Sequence, residues 1–151
     1  MQIKEVKPMT FFYYSVQTTL RELLSYVRVV AKDLHKEAAL HDIKVTGPVY
    51  WQYIGFNGNP VKEFTLEIAL PVADIRPTYT GKFQFRKTES FKCLSTWHEG
   101  SWAELSQTYG ALFDYISQHG LTSIGVNREI YFNMDFNQPE ANLTEVQIGI
   151  A

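Results

Sequence analysis

Two stretches of this chain carry the same punctuation, and that repetition limits the fold more than any other feature of the sequence. Met9 to Val16, Met-Thr-Phe-Phe-Tyr-Tyr-Ser-Val, reads as a strand and runs into Thr19-Leu20-Arg21-Glu22, a Thr-x-x-Glu capping box. Phe91 to Glu99 reads as a second strand and runs into Ser101-Trp102-Ala103-Glu104, a Ser-x-x-Glu box at the same distance. Thr19 with Ser101, Glu22 with Glu104 and Leu23 with Leu105 pair at one offset, which is the mark of an internal duplication.

Each cap opens an amphipathic helix. Leu20, Leu23, Leu24, Val27, Val30, Ala31, Leu34 and Ala38 recur at helical spacing after the first, and Trp102, Leu105, Tyr109, Leu112, Phe113 and Ile116 after the second. The second helix stops at His119-Gly120, with glycine suited to the left-handed position past a helix end. The first is expected to run about one turn longer, which shortens the repeat offset downstream. Two strand-like runs follow each helix: Val49 to Ile54 and Glu63 to Val72, then Arg128 to Asn133 and Leu143 to Ile150. The order β-α-β-β is thus written twice, at about residues 9–72 and 91–150 of a single domain spanning 1–151. Ile68, Leu70, Val72, Val146, Ile148 and Ile150 form one apolar set for the helices to cover, while Glu67, Ala69, Glu145 and Gln147 point the other way. An α+β fold follows, a largely antiparallel sheet with both helices on one face. Ala73 to Glu89 reads as the loop joining the halves, and Phe83 and Phe85 within it have no assigned place.

Charge and composition bound the function. The 151 residues include 14 basic and 16 acidic ones, scattered rather than blocked, so the chain lacks the electrostatic footprint of a nucleic-acid or membrane-surface binder. The polar start and the short, interrupted apolar runs give the expectation of a soluble, cytoplasmic protein with no membrane association. Cys93 is the only cysteine and reads as a plain buried residue; His35, His41, His98 and His119 are dispersed, so neither metal nor other cofactor is expected. The aromatic content stands out: 10 Phe, 9 Tyr and 3 Trp are more rings than a core of this size needs, which favours an aromatic-lined pocket.

The strand Arg128-Glu129-Ile130-Tyr131-Phe132 is where chemistry is expected. With Ile130 and Phe132 against the helices, Glu129 and Tyr131 face the uncovered side, and their equivalents in the first half are Trp51 and Tyr53. Trp97, alternating with Cys93, Ser95 and Glu99, joins the same surface. A carboxylate held among rings suits a flat, lipophilic cation, which relieves the cost of burying the charge and stacks on ring faces at about 0.5 to 2 kcal/mol per contact. Alternatives stand beside this: Glu129 as partner of a Lys or Arg at a sheet edge, Trp102 as a core or staple residue, and Tyr50 and Tyr53 as ordinary strand aromatics. No hydrolase triad, phosphate-binding glycine loop or nucleotide fingerprint is legible.

In order along the chain, Gly47-Pro48-Val49-Tyr50-x-x-Tyr53, Phe64 to Val72, Trp97-His98-Glu99-Gly100-Ser101-Trp102-x-Glu104-Leu105, Arg128-Glu129-Ile130-Tyr131 and Thr144 to Ile148 resemble GyrI-like small-molecule-binding domains, the effector-binding type of AraC- and MerR-type multidrug regulators. The resemblance spans roughly Met9 to Ile150. It implies a pseudo-twofold domain with a ligand cleft on the axis between the halves, accepting small amphipathic, cationic or planar aromatic compounds. It implies further that Glu129 is the electrostatic anchor and that Trp97 stacks on the ligand, with Tyr131, Trp51, Tyr53, Tyr50 and Trp102 completing the site. Ser101-Trp102 departs from the bulkier Pro-Tyr helix start of the family. With no room for a helix-turn-helix module, the chain is expected to act as a stand-alone binding protein, in drug or toxin sequestration or effector sensing, or with a separate partner. Other roles implied by the family are hydrolysis of reactive cyclopropyl-type genotoxins, with Glu129 as general base and Trp97 beside the substrate, and modulation of gyrase or another protein partner.

Overall fold

The computed structural model describes residues 1–26 and 29–151. Eight strands form one sheet: β1 (Gln2–Val6), β2 (Thr10–Thr18), β3 (Tyr50–Ile54), β4 (Phe64–Val72), β5 (Gln84–Lys87), β6 (Phe91–Glu99), β7 (Ser123–Asn133) and β8 (Leu143–Ile150). All neighbouring pairs are antiparallel, in the order β1-β6-β8-β7-β3-β4-β2-β5. Read outward from the central β7–β3 pair, β8 then β6 on one side are answered by β4 then β2 on the other. The helices α1 (Val30–Leu40) and α2 (Leu105–Gln118) pack on the same face of this sheet. Among the described residues no helix is long and apolar enough to cross a membrane.

Alternation along β4 and β8 selects the covered face. Leu66, Ile68, Leu70 and Val72 pack with Leu34 and Ala38 of α1, and Val146, Ile148 and Ile150 pack with Leu112 and Ile116 of α2. Leu34 and Leu112 are wholly buried, so truncating either to alanine costs about 2–5 kcal/mol. The opposite face is polar yet closed. Glu67 takes two hydrogen bonds from Arg86, at 2.5 and 2.6 Å, and one from Gln52 at 2.8 Å. Glu145 meets Lys4 at 2.6 Å, Ser95 at 2.7 Å and Gln147 at 2.8 Å. Burial pushes the Glu145 carboxyl up, but its hydrogen bonds from Gln147, Lys4 and Ser95 outweigh that and hold it below the ordinary range.

Several expectations change. The segment Ala73 to Glu89 holds a strand, β5, where Phe85 pairs with Phe12 at a ring-centroid distance of 4.8 Å; Phe83 meets the same ring edge-on at 5.6 Å. Both rings therefore extend the core beneath α1. The first helix is not the longer one. A 3-10 helix covers Leu20–Ser25, Thr19 makes no side-chain cap, and α1 then starts at Val30 with 11 residues against 14 for α2. Val27 of the apolar series lies outside the described residues. Ser101 does cap, its hydroxyl accepting from the Ala103 N–H at 3.2 Å, ahead of a 3-10 turn at Trp102–Glu104 that leads into α2.

Both helices end alike. In α2 the Leu121 N–H reaches the Ile116 carbonyl at 3.0 Å across Gly120, whose φ is +63°; in α1 the Ile43 N–H reaches Ala38 at 2.8 Å across Asp42, whose φ is +55°. Each is a six-to-one closure that needs a left-handed residue past the helix end.

Candidate functional site

The helices leave a gap. α2 packs along β6 and β8 and α1 along β4 and β2, so the central strands β7 and β3 lie between them. Side chains that β7 and β3 project toward the helix side line a cavity of about 1120 Å³ instead of a helix interface. Register identifies them: Trp51 lies opposite Glu129, Tyr53 opposite Asn127, Glu129 opposite Val146 and Asn127 opposite Ile148. Sharing a row with Val146 and Ile148 puts Glu129 and its alternate neighbour Tyr131 on the helix-covered face.

This corrects the expected orientation. Glu129 and Tyr131 do not occupy the uncovered side. Ile130 and Arg128 do, paired across the strands with Tyr50 and Gln52. Two candidate residues leave the site for the same reason. Trp97 stands opposite Glu145 on the polar face, 53% exposed, its ring 5.1 Å from that of Phe132. Tyr50 is also on that face, 5.2 Å from Phe11 and within 6.0 Å of the Arg128 guanidinium. Trp51, Tyr53, Trp102, Glu129 and Tyr131 are brought together around the cavity.

Glu129 is 5% exposed. One carboxylate oxygen, Oε1, accepts from the hydroxyls of Tyr53, at 3.3 Å, and Tyr131; the other, Oε2, accepts from Tyr109 at 2.5 Å. Burial pushes this carboxyl above its ordinary range, and the donors Tyr109, Tyr131 and Tyr53 pull back without cancelling the shift. Burial and the neighbouring carboxylate push all three phenols well up, so they stay protonated donors. Tyr109, in the second turn of α2, was expected only as helix core. Its hydroxyl was the available signal, because a buried phenol requires a polar partner.

Rings build the walls. Trp51 meets Tyr131 edge-on at 6.1 Å, and Trp102 meets Tyr131 at 5.6 Å and Phe136 at 5.4 Å, also edge-on. The Trp102 indole N–H donates to the Thr144 hydroxyl at 3.1 Å, which fixes the ring while leaving it in the cavity wall. Beneath that wall the buried His98 bonds the Thr108 hydroxyl at 2.7 Å and the Ser101 carbonyl at 2.8 Å, tying the start of α2 to the end of β6. Glu129 is the one carboxylate among the described lining residues, and the basic residues Lys32 and His35 belong to α1. The cavity is an apolar, ring-walled pocket with a single hydrogen-bonded carboxylate on its sheet side.

An antiparallel sheet with two helices parted over its central strands, and a ring-lined cavity in the gap, defines a small-molecule-binding domain. The sequence pattern of the GyrI-like small molecule binding domain matches residues 1–151, and the chain belongs to that family. No curated protein matches the chain. Among solved structures, EcmrR in a DNA complex superposes with a TM-score of 0.79 at 16% identity over 99% of this chain; the chain spans 56% of that protein's length. SAV2435 bound to tetraphenylphosphonium superposes with a TM-score of 0.69 at 15% identity, covering 99% of this chain and 93% of that one. A hydrolase of Listeria innocua gives 0.67 at 13% identity, covering 99% and 91%. At such identities the likeness establishes the fold.

Proposed function

We propose that this domain captures flat, hydrophobic cations in the gap between α1 and α2, with Glu129 as anchor and Trp51, Tyr53, Trp102 and Tyr131 as stacking walls, serving sequestration or effector sensing. The observation that carries this reading is the buried Glu129 carboxylate, which three phenols hold and which is the one carboxylate among the described residues that line this ring-walled cavity. An unpaired buried charge is costly, and an apolar cation offsets that cost while each ring contact adds about 0.5–2 kcal/mol. The shared fold of SAV2435, a protein solved with tetraphenylphosphonium bound, supports a hydrophobic cation as the ligand, in its charge and apolar surface rather than in flatness. Titrating planar cations and matched neutral analogues while following tryptophan fluorescence tests it. Cations should quench saturably and Glu129→Gln should weaken them about tenfold or more, about 1.4 kcal/mol, with Trp97→Phe as an unaffected control. Unchanged cation affinity in Glu129→Gln would overturn the reading.

One observation favours a second reading. A carboxyl raised by burial is suited to act as general base toward water, and a protein of this fold is described as a hydrolase. Incubating the protein with a reactive cyclopropyl compound should then yield a hydrated product by mass spectrometry, lost in Glu129→Gln. Recovery of unchanged compound rules this out.

A further inference from the structure

The cavity has a basic side that the cation reading does not use. Lys32 and His35 line it from α1, three residues apart and so on one side of that helix. Both are exposed, and neither has a hydrogen-bond or ion-pair partner among the described residues. The acids of α1 are engaged elsewhere: Asp33 meets Lys82 at 3.5 Å and Glu37 meets His41 at 3.0 Å. Glu22 and Glu104, in the two 3-10 turns nearby, are not among the residues that line the cavity. With Glu129 in the sheet layer and an unpaired ammonium in the helix layer, the pocket is bipolar.

We infer that the preferred ligands are zwitterionic amphiphiles, in which a flat cationic ring system faces Glu129 and an oxyanion meets Lys32 and His35. An ammonium and an imidazole N–H are donors, and an oxyanion is the group that matches both. The long stem of Lys32 lets its head follow such a group at the cavity mouth while the stem covers apolar ligand surface. A second positive charge on the ligand would instead meet Lys32 as a like charge, so dications are disfavoured. Because the basic pair is exposed, the contact is worth about fivefold in affinity at most and weakens as salt is added. This rests on the cation reading of Glu129 and adds the opposite charge at the other end of the ligand.

The test uses two styrylpyridinium dyes with the same ring system, one with an N-propyl arm and the other with an N-sulfopropyl arm. Each is titrated, by its own fluorescence, into wild type, Lys32→Glu, His35→Gln and Glu129→Gln. Lys87→Glu serves as control, since it makes the same change of charge on the outer strand β5. Wild type should bind the sulfonated dye about fivefold more tightly at low salt, and added sodium chloride should shrink that preference. Lys32→Glu should reverse it, His35→Gln should reduce it and Lys87→Glu should leave it. Equal binding of the two dyes by wild type, a preference that survives Lys32→Glu, or one lost equally in Lys87→Glu overturns the inference; if Glu129→Gln still weakens both dyes, the cation reading stands. Binding of neither dye removes both.

Discussion

Glu129 carries opposing forces that can be separated by titration. Burial raises its carboxyl and the hydroxyls of Tyr109, Tyr131 and Tyr53 lower it, with burial ahead. A carboxyl whose folded value lies above its unfolded one gives stability that is complete at pH below the unfolded value and is lost as pH rises through the folded value. Glu145, held down by its partners, behaves in the opposite sense: its contribution is present above the unfolded value and disappears as pH falls through the folded one. Ligand-free Glu129→Gln should therefore melt higher than wild type at neutral pH, and the two should converge toward about pH 4. Tyr109→Phe removes a donor to the carboxylate and raises its folded value further, so the gap should widen and level off at a higher pH while the point of convergence, set by the unfolded value, stays in place. Parallel melting curves across the range would contradict the assignment. At this scale the sequence made the carboxylate and most of its rings legible, because period-two spacing ties Glu129 to Tyr131 and Trp51 to Tyr53. It left Tyr109 hidden, since a tyrosine on the inward stripe of a helix looks like core until the strand beneath it is known.

At the scale of elements, the helix ends and long strands were readable and the short pieces were not. Gly120 announced the close of α2, and its positive φ is required there, while nothing within 4 Å limits an added methyl group. Gly110 lies inside α2, exposed, also with nothing within 4 Å of an added methyl. The same substitution should therefore have opposite effects. Gly120→Ala should cost about 1–2 kcal/mol through left-handed strain, and Gly110→Ala should gain about 0.5–1 kcal/mol through helix propensity. For a chain of this size each kcal/mol shifts the thermal midpoint by about 2–4 °C, so scanning calorimetry of the pair decides the matter. Strands β1 and β5, with five and four residues, carry too little alternation to be recognised alone, and both are set by pairing with longer strands. Thr19 makes no cap and Leu20–Ser25 winds as a 3-10 helix, which apolar spacing alone did not reveal.

At the scale of the molecule, alternation told which residues share a face but not which face the helices cover. That choice depends on the register of β7 against β8, where Glu129 meets Val146, and a slip of one residue exchanges the two faces. The register of β6 against β8, where Trp97 meets Glu145, likewise removes Trp97 from the cavity and leaves it beside Phe132 on the far side of the sheet. We propose that duplication of one β-α-β-β unit produced the strand order, since the residues the repeat equates, Trp51 and Glu129, face each other across the central pair. The ligand gap then follows from the architecture, because two helices that each cover their own half leave the central strands between them. A crystal structure of the protein with a flat lipophilic cation such as ethidium tests the proposed site most directly. The cation should lie between α1 and α2 against Trp51, Trp102 and Tyr131 with Glu129 on its sheet side; a cation resting instead on Trp97 and Phe132, with the gap unchanged, would contradict it.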